Sequence, residues 1–389
     1  MLPRSAQETL MRLAKGFPVV AITGPRQSGK TTLARAAFPD KPYLSLEDPD
    51  IRLMAEGDPR GLLSRFPEGA VLDEIQRAPM LFSYLQTHLD QAMRPGSFVL
   101  TGSQQFGLLA GITQTLAGRA GLVQLLPFAM GELQSAGRLP KDLDAFLHAG
   151  SYPPLYDRDL APADWHANYV STYVERDVRQ LISVRDLSAF QRFLRLCAAR
   201  VGQLLNLSTL ASDCGISHHT AAAWLSVLEA SYIVFLLRPH FQNFNKRLVK
   251  TPKLYFCDTG LASWLLGIRE PGQLAYHALR GALFENLVVA EFLKERLHQG
   301  MPPDLHFWRD SQGLEVDLLV ERAGALHPLE VKSGQTIAAD FSDALNKWMG
   351  LAGGAGTRGW LGYGGDRRFR SGKVDMVPWQ ELPELTRSL

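Results

Sequence analysis

Three short stretches carry side chains whose types and spacing can do chemistry. The first runs from Gly24 through Pro25, Arg26, Gln27 and Ser28 to Gly29, Lys30, Thr31 and Thr32, the Gly-x-x-x-x-Gly-Lys-Thr spacing of a Walker A phosphate loop. Such a loop offers backbone N–H groups and a helix N-terminus to phosphate, its lysine neutralises the terminal phosphates, and its threonine can ligate magnesium. The second, Asp73-Glu74, ends an apolar run and suits a carboxylate that holds magnesium beside one that orients an attacking water. The third, residues 313–334, reads as a hairpin: Leu314, Val316, Leu318 and Val320 alternate with Glu315, Asp317 and Leu319, and a second run follows from Leu326 to Lys332.

The register of that hairpin follows from its loop. Whether Ala323-Gly324 alone or Arg322 to Ala325 make the turn, Glu321 pairs near Leu326. Asp317 then lies opposite Glu330, and Glu315 opposite Lys332. Directly opposed side chains share a face, and like charges there repel. A divalent ion between them would turn that repulsion into a binding site.

The elements that must position these residues surround them in the sequence. "PVVAITG" at 18–24 leads into the phosphate loop, and "YLSL" at 43–46, "AVLDEI" at 70–75 and "SFVLTGS" at 97–103 behave as further buried parallel strands. Ser103 ends the last of these, where a polar side chain can sense the terminal phosphate. Arg119, in "LAGRAG" before the apolar "LVQLLPF", is placed to stabilise transition-state charge in a neighbouring subunit's site. Residues 129–190 are helix-rich and interrupted by "GSYPPL". There Arg176 and Arg179 flank Asp177 as a helix-surface salt-bridge set, with a second nucleotide sensor as the alternative.

Residues 204–237 then give a helix-turn-helix followed by strands, a winged-helix pattern. Ser208 is expected to cap its first helix, Gly215 to make the turn, and Ser217 to cap a second helix whose Ala221, Trp224, Leu225 and Leu228 pack inward. That second helix opens with His218, His219 and Thr220 and holds no Lys or Arg, so its capacity to read bases is weak. The wing-like segment 238–253 is different: Arg238, Lys246, Arg247, Lys250 and Lys253 are interleaved with Phe241 and Phe244 and no acid, which suits phosphate contacts and stacking on DNA. Further on, residues 278–296 form an amphipathic helix in which Glu285 falls among Ala282, Phe284, Leu287, Val288 and Phe292 and needs a partner.

Bulk composition constrains less. A chain of 389 residues exceeds the size of one core and predicts two to four domains. With 41 Lys and Arg against 39 Asp and Glu, any basic surface has to be local. Cys197, Cys214 and Cys257 are too widely spaced for a disulfide framework or a zinc site, which points to a reducing cytoplasm. The first residues lack the apolar core of a signal peptide, and no run approaches the roughly 18 apolar residues of a membrane span.

"GPRQSGKTTL", "VLDEIQ", "FVLTGSQQF", "LAGRAGLVQLLPFAMGEL" and "YVSTYVERDVRQL" together resemble the prokaryotic AAA-family ATPases that carry a DUF4143-like domain of unknown function at their C-terminal end. The resemblance spans nearly the whole chain. It implies an AAA+ core with ATP and Mg2+ at the residues above, and assembly as a homo-oligomer such as a hexameric ring. The order of helix, hairpin and Glu330-x-Lys332 resembles the PD-(D/E)xK nuclease superfamily, although Glu315-Val316 stands before Asp317 where that family's name has proline. This implies Mg2+ or Mn2+ held by Asp317 and Glu330, with Glu285 completing the shell and Lys332 positioning the attacking water.

The sequence therefore predicts an α/β multidomain protein: an AAA+ P-loop ATPase core over 1–135, a helical lid over 136–192, a winged helix-turn-helix over 193–262 and a nuclease-like α/β domain over 263–389. The function expected is ATP-driven binding and remodelling or translocation of DNA with metal-dependent cleavage. The alternative is a nucleotide-controlled switch that binds DNA or a protein partner without cutting.

Overall fold

The computed structural model describes residues 2–91, 94–103, 108, 111–112, 114–174, 186–241, 248–353 and 358–389. Arg176, Arg179, Phe244, Lys246 and Arg247 lie outside them. The chain divides into two compact units, Met1–Phe128 with Ala230–Tyr232 and Arg296–Pro302, and Ala129–Glu229 with Ile233–Glu295 and Pro303–Leu389.

The first unit is built on five parallel strands, β1 (Val19–Thr23), β2 (Tyr43–Ser45), β3 (Val71–Asp73), β4 (Phe98–Gly102) and β5 (Ala120–Gln124), in the order β2-β3-β4-β1-β5. The four apolar runs that lead to the phosphate loop and the acidic pair are strands β1 to β4, as their composition predicts. Their near-continuous apolarity has a cause in packing. Val19 and Ala21 face one core with Leu72, Phe98 and Leu100, while Val20 and Ile22 face another with Val71, Val99 and Val123. A strand buried on both faces leaves no place for a polar residue until its end. Because β4 lies between β1 and β3, the polar residues at its end come down beside those of β3.

The second unit holds the helix-rich segment and a mixed sheet of eight strands, in the order β12-β13-β11-β10-β9-β8-β6-β7. These are β6 (Val234–Pro239), β7 (Lys253–Phe256), β8 (Leu305–Arg309), β9 (Glu315–Arg322), β10 (Ala325–Lys332), β11 (Gly359–Tyr363), β12 (Phe369–Ser371) and β13 (Val374–Pro378). The helix Asp343–Ala352 lays Leu345 and Trp348 against Trp308, Val316 and Leu361 of this sheet. Strands β6 and β7, expected as part of a separate winged helix, share the sheet of the C-terminal strands through the pairing of β6 with β8. The sheet therefore draws strands from both sides of position 262.

Local signals explain the ends of several helices. Gly150, at φ 75°, stops the helix Leu143–Ala149, and Pro153 opens the next, Pro153–Asp157, where its missing N–H costs nothing. In the helix-turn-helix segment the helices are Leu207–Cys214 and His218–Ala230, joined through Gly215 in the left-handed conformation, with Ala221, Trp224, Leu225 and Leu228 buried. The first of them is capped by Asn206, whose side chain accepts from the Thr209 N–H at 3.0 Å, and not by Ser208, because the helix begins one residue earlier than Ser208. Ser217 accepts from the Thr220 N–H at 3.0 Å, as a cap of the second should.

Candidate functional sites: a phosphate loop and a carboxylate cluster

The phosphate loop joins β1 to the helix Lys30–Ala37. Gly24 has φ 150°, and a Cβ there would come within 2.1 Å of the Leu125 carbonyl oxygen, so only glycine lets the loop leave the strand this way. Gly29 precedes the helix at φ 92°. Lys30 is buried and donates to the carbonyl oxygens of Gly24 and Pro25 at 3.0 and 2.8 Å. Ser28 is fully buried and its Oγ has no hydrogen-bond partner. A hydroxyl kept inside a loop of backbone donors, next to a buried ammonium and a helix N-terminus, fits phosphate oxygens. Pro25, Arg26, Gln27 and Thr32 complete the loop around them.

Asp73 and Glu74 meet this loop from β3. The Asp73 carboxylate accepts from Thr31 Oγ1 at 2.9 Å, from Thr101 Oγ1 on β4, and from the Tyr43 hydroxyl at 2.7 Å. The Thr31–Asp73 contact brings together the two side chains expected to hold magnesium. Burial, reinforced by the Asp73 carboxylate, pushes the Tyr43 hydroxyl well above its usual value, so it stays a donor. Glu74 adopts φ 54°, a left-handed conformation that costs a non-glycine residue about 1–3 kcal/mol. Its Oε2 accepts from Ser103 Oγ at 2.9 Å and from Gln76 Nε2. Ser103 thus touches the acidic pair itself. Thr101, Tyr43 and Gln76 are site residues that motif reading missed. Thr101 had a signal, since it stands two residues before Ser103 on one strand and so faces the same way.

Arg119 is partly exposed and pairs with Asp90 through Nε at 3.0 Å and Nη2 at 2.8 Å. An exposed pair of this kind contributes about 0–1 kcal/mol, so it holds the guanidinium only weakly.

In the second unit the hairpin has the expected register. Leu326 pairs with Glu321 and Leu329 with Leu318, around a turn in which Ala323 and Gly324 take φ 52° and 77°. Two successive positive φ values are what a two-residue hairpin turn requires. One step past the ladder, Asp317 Oδ2 accepts from the Val331 N–H at 2.9 Å, and Glu330 Oε1 accepts from Lys332 Nζ at 2.6 Å. Glu285, on the helix Arg280–His298, reaches the same region.

What gathers these acids is a lysine. Lys253, on β7, is 3% exposed, and its Nζ donates to Glu285 Oε1 at 2.9 Å, pairs with Glu315 Oε1, and lies 3.9 Å from Asp317 Oδ1. The Tyr255 hydroxyl donates to Glu285 Oε1 at 2.5 Å, and Arg309 Nη1 donates to Glu315 Oε2 at 2.8 Å. Burial alone would lower the Lys253 pKa, but Glu285, Asp317 and Glu315 outweigh it, and the ammonium is held above its usual range. Asp317 is pushed up by burial first and by Glu285 and Glu330 next, against Lys253 and Lys332. Glu330 is likewise raised, chiefly by burial, and Lys332 raised by Glu330 in spite of its own desolvation.

Two expectations are corrected here. Lys253 is no phosphate contact, because it is buried between carboxylates, while Arg238 and Lys250 of the same stripe are exposed. Nor do Glu285, Asp317 and Glu330 form a shell for Mg2+ or Mn2+: among the described residues no group of three His, Cys, Asp or Glu is placed to hold a metal ion. Glu330 Oε2 is a buried acceptor without a partner, which a cation would suit. The facing oxygens of Glu285 and Glu315 are already taken by Lys253, so the set as a whole does not fit one. Lys253 and Tyr255 were missed in the sequence. Their signal was a lysine and a tyrosine at i and i+2, hence on one face, in the short apolar strand "KLYF".

Comparison with known proteins now has a geometry to attach to. A model described as an AAA domain matches residues 16–134, and models of two domains of unknown function, DUF8612 and DUF4143, match 140–272 and 280–382. Uncharacterized proteins of Mycobacterium tuberculosis (Rv2008c) and Mycobacterium bovis (Mb2031c) are each 32% identical over 337 residues, which cover 86% of this chain and 74% of theirs. The chain belongs to this family of AAA-domain proteins with a DUF4143 region. Among solved structures, this AAA-domain protein is similar to the Walker-type ATPase PABY2304 of Pyrococcus abyssi, at 14% identity and a TM-score of 0.46 over 67% of this chain and 94% of that one. It is also similar to the RuvB Holliday junction branch migration motor of Thermotoga maritima, at 19% identity and a TM-score of 0.31 over 60% and 88% of the two chains. Neither likeness carries function across. No helix among the described residues is long and apolar enough to cross a membrane.

Proposed function

We propose that this AAA-domain protein is an ATP-hydrolysing switch that works on a bound macromolecule without cutting it. The observation that carries the reading is the hydrogen-bonded set of Thr31, Asp73 and Thr101 beside Glu74 and Ser103, at the mouth of a loop with a buried lysine and an unpartnered Ser28 hydroxyl. ATP would lie along residues 24–32, with Mg2+ at Thr31 and Asp73. Lys30 would neutralise the terminal phosphates, and Glu74 would orient the attacking water. Glu74 cannot serve water through Oε2 while that oxygen is occupied by Ser103 and Gln76. Its release is then the two-state step that links nucleotide to β4.

The macromolecule proposed is DNA. Arg238 and Lys250 are exposed, Phe241 is 83% exposed, and Lys246 and Arg247 lie between them in sequence, a stripe suited to backbone charge and base stacking without sequence reading. Homo-oligomeric assembly, with Arg119 leaving Asp90 to serve a neighbour's site, completes the proposal. Incubating the full chain with single-stranded, duplex and branched DNA, ATP, and Mg2+ or Mn2+ tests it. The expected result is ATP turnover that responds to DNA while every DNA stays intact. Cleavage that disappears in Glu330→Ala would contradict the non-cutting reading, and ATP turnover indifferent to DNA would remove DNA as the partner.

A further inference from the structure

Glu285, Glu315 and Asp317 come from a helix and a strand within 280–382, yet they converge on one ammonium from the 140–272 segment. Three features separate Lys253 from a surface lysine that has folded into an acidic cleft. It is 3% exposed. Its backbone is fixed on two sides, paired with Leu237 of β6 and bridged to Leu204, so register rather than a free rotamer aims the side chain. Its neighbour on the same face, Tyr255, donates to the same Glu285 oxygen, so that carboxylate is held by two donors from one strand. Around the cluster, four carboxylates (Glu285, Glu315, Asp317 and Glu330) meet three cations (Lys253, Arg309 and Lys332).

An ammonium and a divalent ion cannot share such a position. Oxygen ligands approach Mg2+ or Ca2+ to about 2.0–2.6 Å, and here Glu285 Oε1 and Glu315 Oε1 are already bonded to Lys253, with Asp317 Oδ1 3.9 Å from the same nitrogen. Like charge would expel one of the two.

We propose that Lys253 is a built-in cation standing where a divalent ion would otherwise sit, so that the cluster is an ion lock joining the DUF8612 and DUF4143 segments, and that removing its charge turns the lock into a divalent-metal site. The inference does not depend on the ATPase reading, because every residue in it lies in the second unit.

Mn2+ binding to the nucleotide-free full chain, followed by electron paramagnetic resonance, is the test, with Asp73→Asn in every protein so that the phosphate loop contributes no metal. The parent is expected to bind no Mn2+ that Asp317→Asn removes. Lys253→Met is expected to gain one Mn2+ per chain and to lose it when Asp317→Asn is added. A stoichiometric Mn2+ in the parent that Asp317→Asn abolishes would overturn the proposal, as would a folded Lys253→Met that gains none. Should Lys253→Met fail to fold, thermal melting of the parent decides. Coincident midpoints with and without Mn2+ support the lock; a midpoint raised by Mn2+ and returned by Asp317→Asn overturns it.

Discussion

Asp317 shows how a single residue can mislead when its motif is read alone. Its position opposite Glu330 was legible from the alternation of the hairpin and the Ala323-Gly324 turn. Its role was not, because that depends on an ammonium 64 residues away in the chain, brought near only by the sheet. The folded-state pKa of Asp317 is raised, so the folded protein binds this proton more tightly than the unfolded one. Stability from this group therefore falls as pH rises above the ordinary carboxylate range. Asp317→Asn keeps an oxygen for the Val331 N–H and removes the titration. Urea midpoints of wild type and variant at about pH 5 and about pH 8 should show wild type losing ground to the variant at the higher pH. A constant difference, or one of opposite sign, would contradict the assignment.

At the scale of elements, the parallel strands were the most legible part of the fold, because burial on both faces leaves unbroken apolar runs bounded by polar ends. Boundaries and partners of the later elements were less so. β6 and β7 read as the wing of a separate domain from their local pattern, yet pairing with β8 makes them the end of an eight-stranded sheet, and no local signal encodes which strand an edge will meet. Capping shows the same limit on a smaller scale. Asn206 and Ser208 are both good caps by type, and the start of the helix at Leu207 decides between them. Asn206→Ala should cost about 1 kcal/mol in denaturant unfolding. Ser208→Ala, within the helix and exposed, should cost a few tenths at most. Equal losses would place the cap elsewhere. Lys253→Met, which strands buried carboxylates, belongs to a different class of loss, about 3–5 kcal/mol.

On the scale of the whole molecule, a phosphate-loop site on a five-stranded parallel sheet and a cluster of acids paired with cations on an eight-stranded mixed sheet occur in one chain of 389 residues. In the first, Ser28, Lys30, Asp73, Glu74 and Ser103 are buried, with Thr31 bonded to Asp73 and Ser103 to Glu74; in the second, Lys253 is buried among the acids. Ser28, Lys30, Thr31, Asp73, Glu74 and Ser103 were all legible as types at fixed spacing, since a phosphate loop is a local structure and its acidic partner ends a nearby strand. The roles of Thr101 and Tyr43 as donors to Asp73 needed the sheet order, whereas Gln76 reaches Glu74 from the turn two residues on. The central claim is that this loop and acidic pair hydrolyse ATP through Glu74, and it is tested most directly by Glu74→Gln. That variant should bind ATP with Mg2+ as wild type does, because Glu74 is no phosphate ligand, yet release phosphate at least about 10²-fold more slowly in single-turnover measurements. Equal phosphate release by the variant and wild type would contradict it.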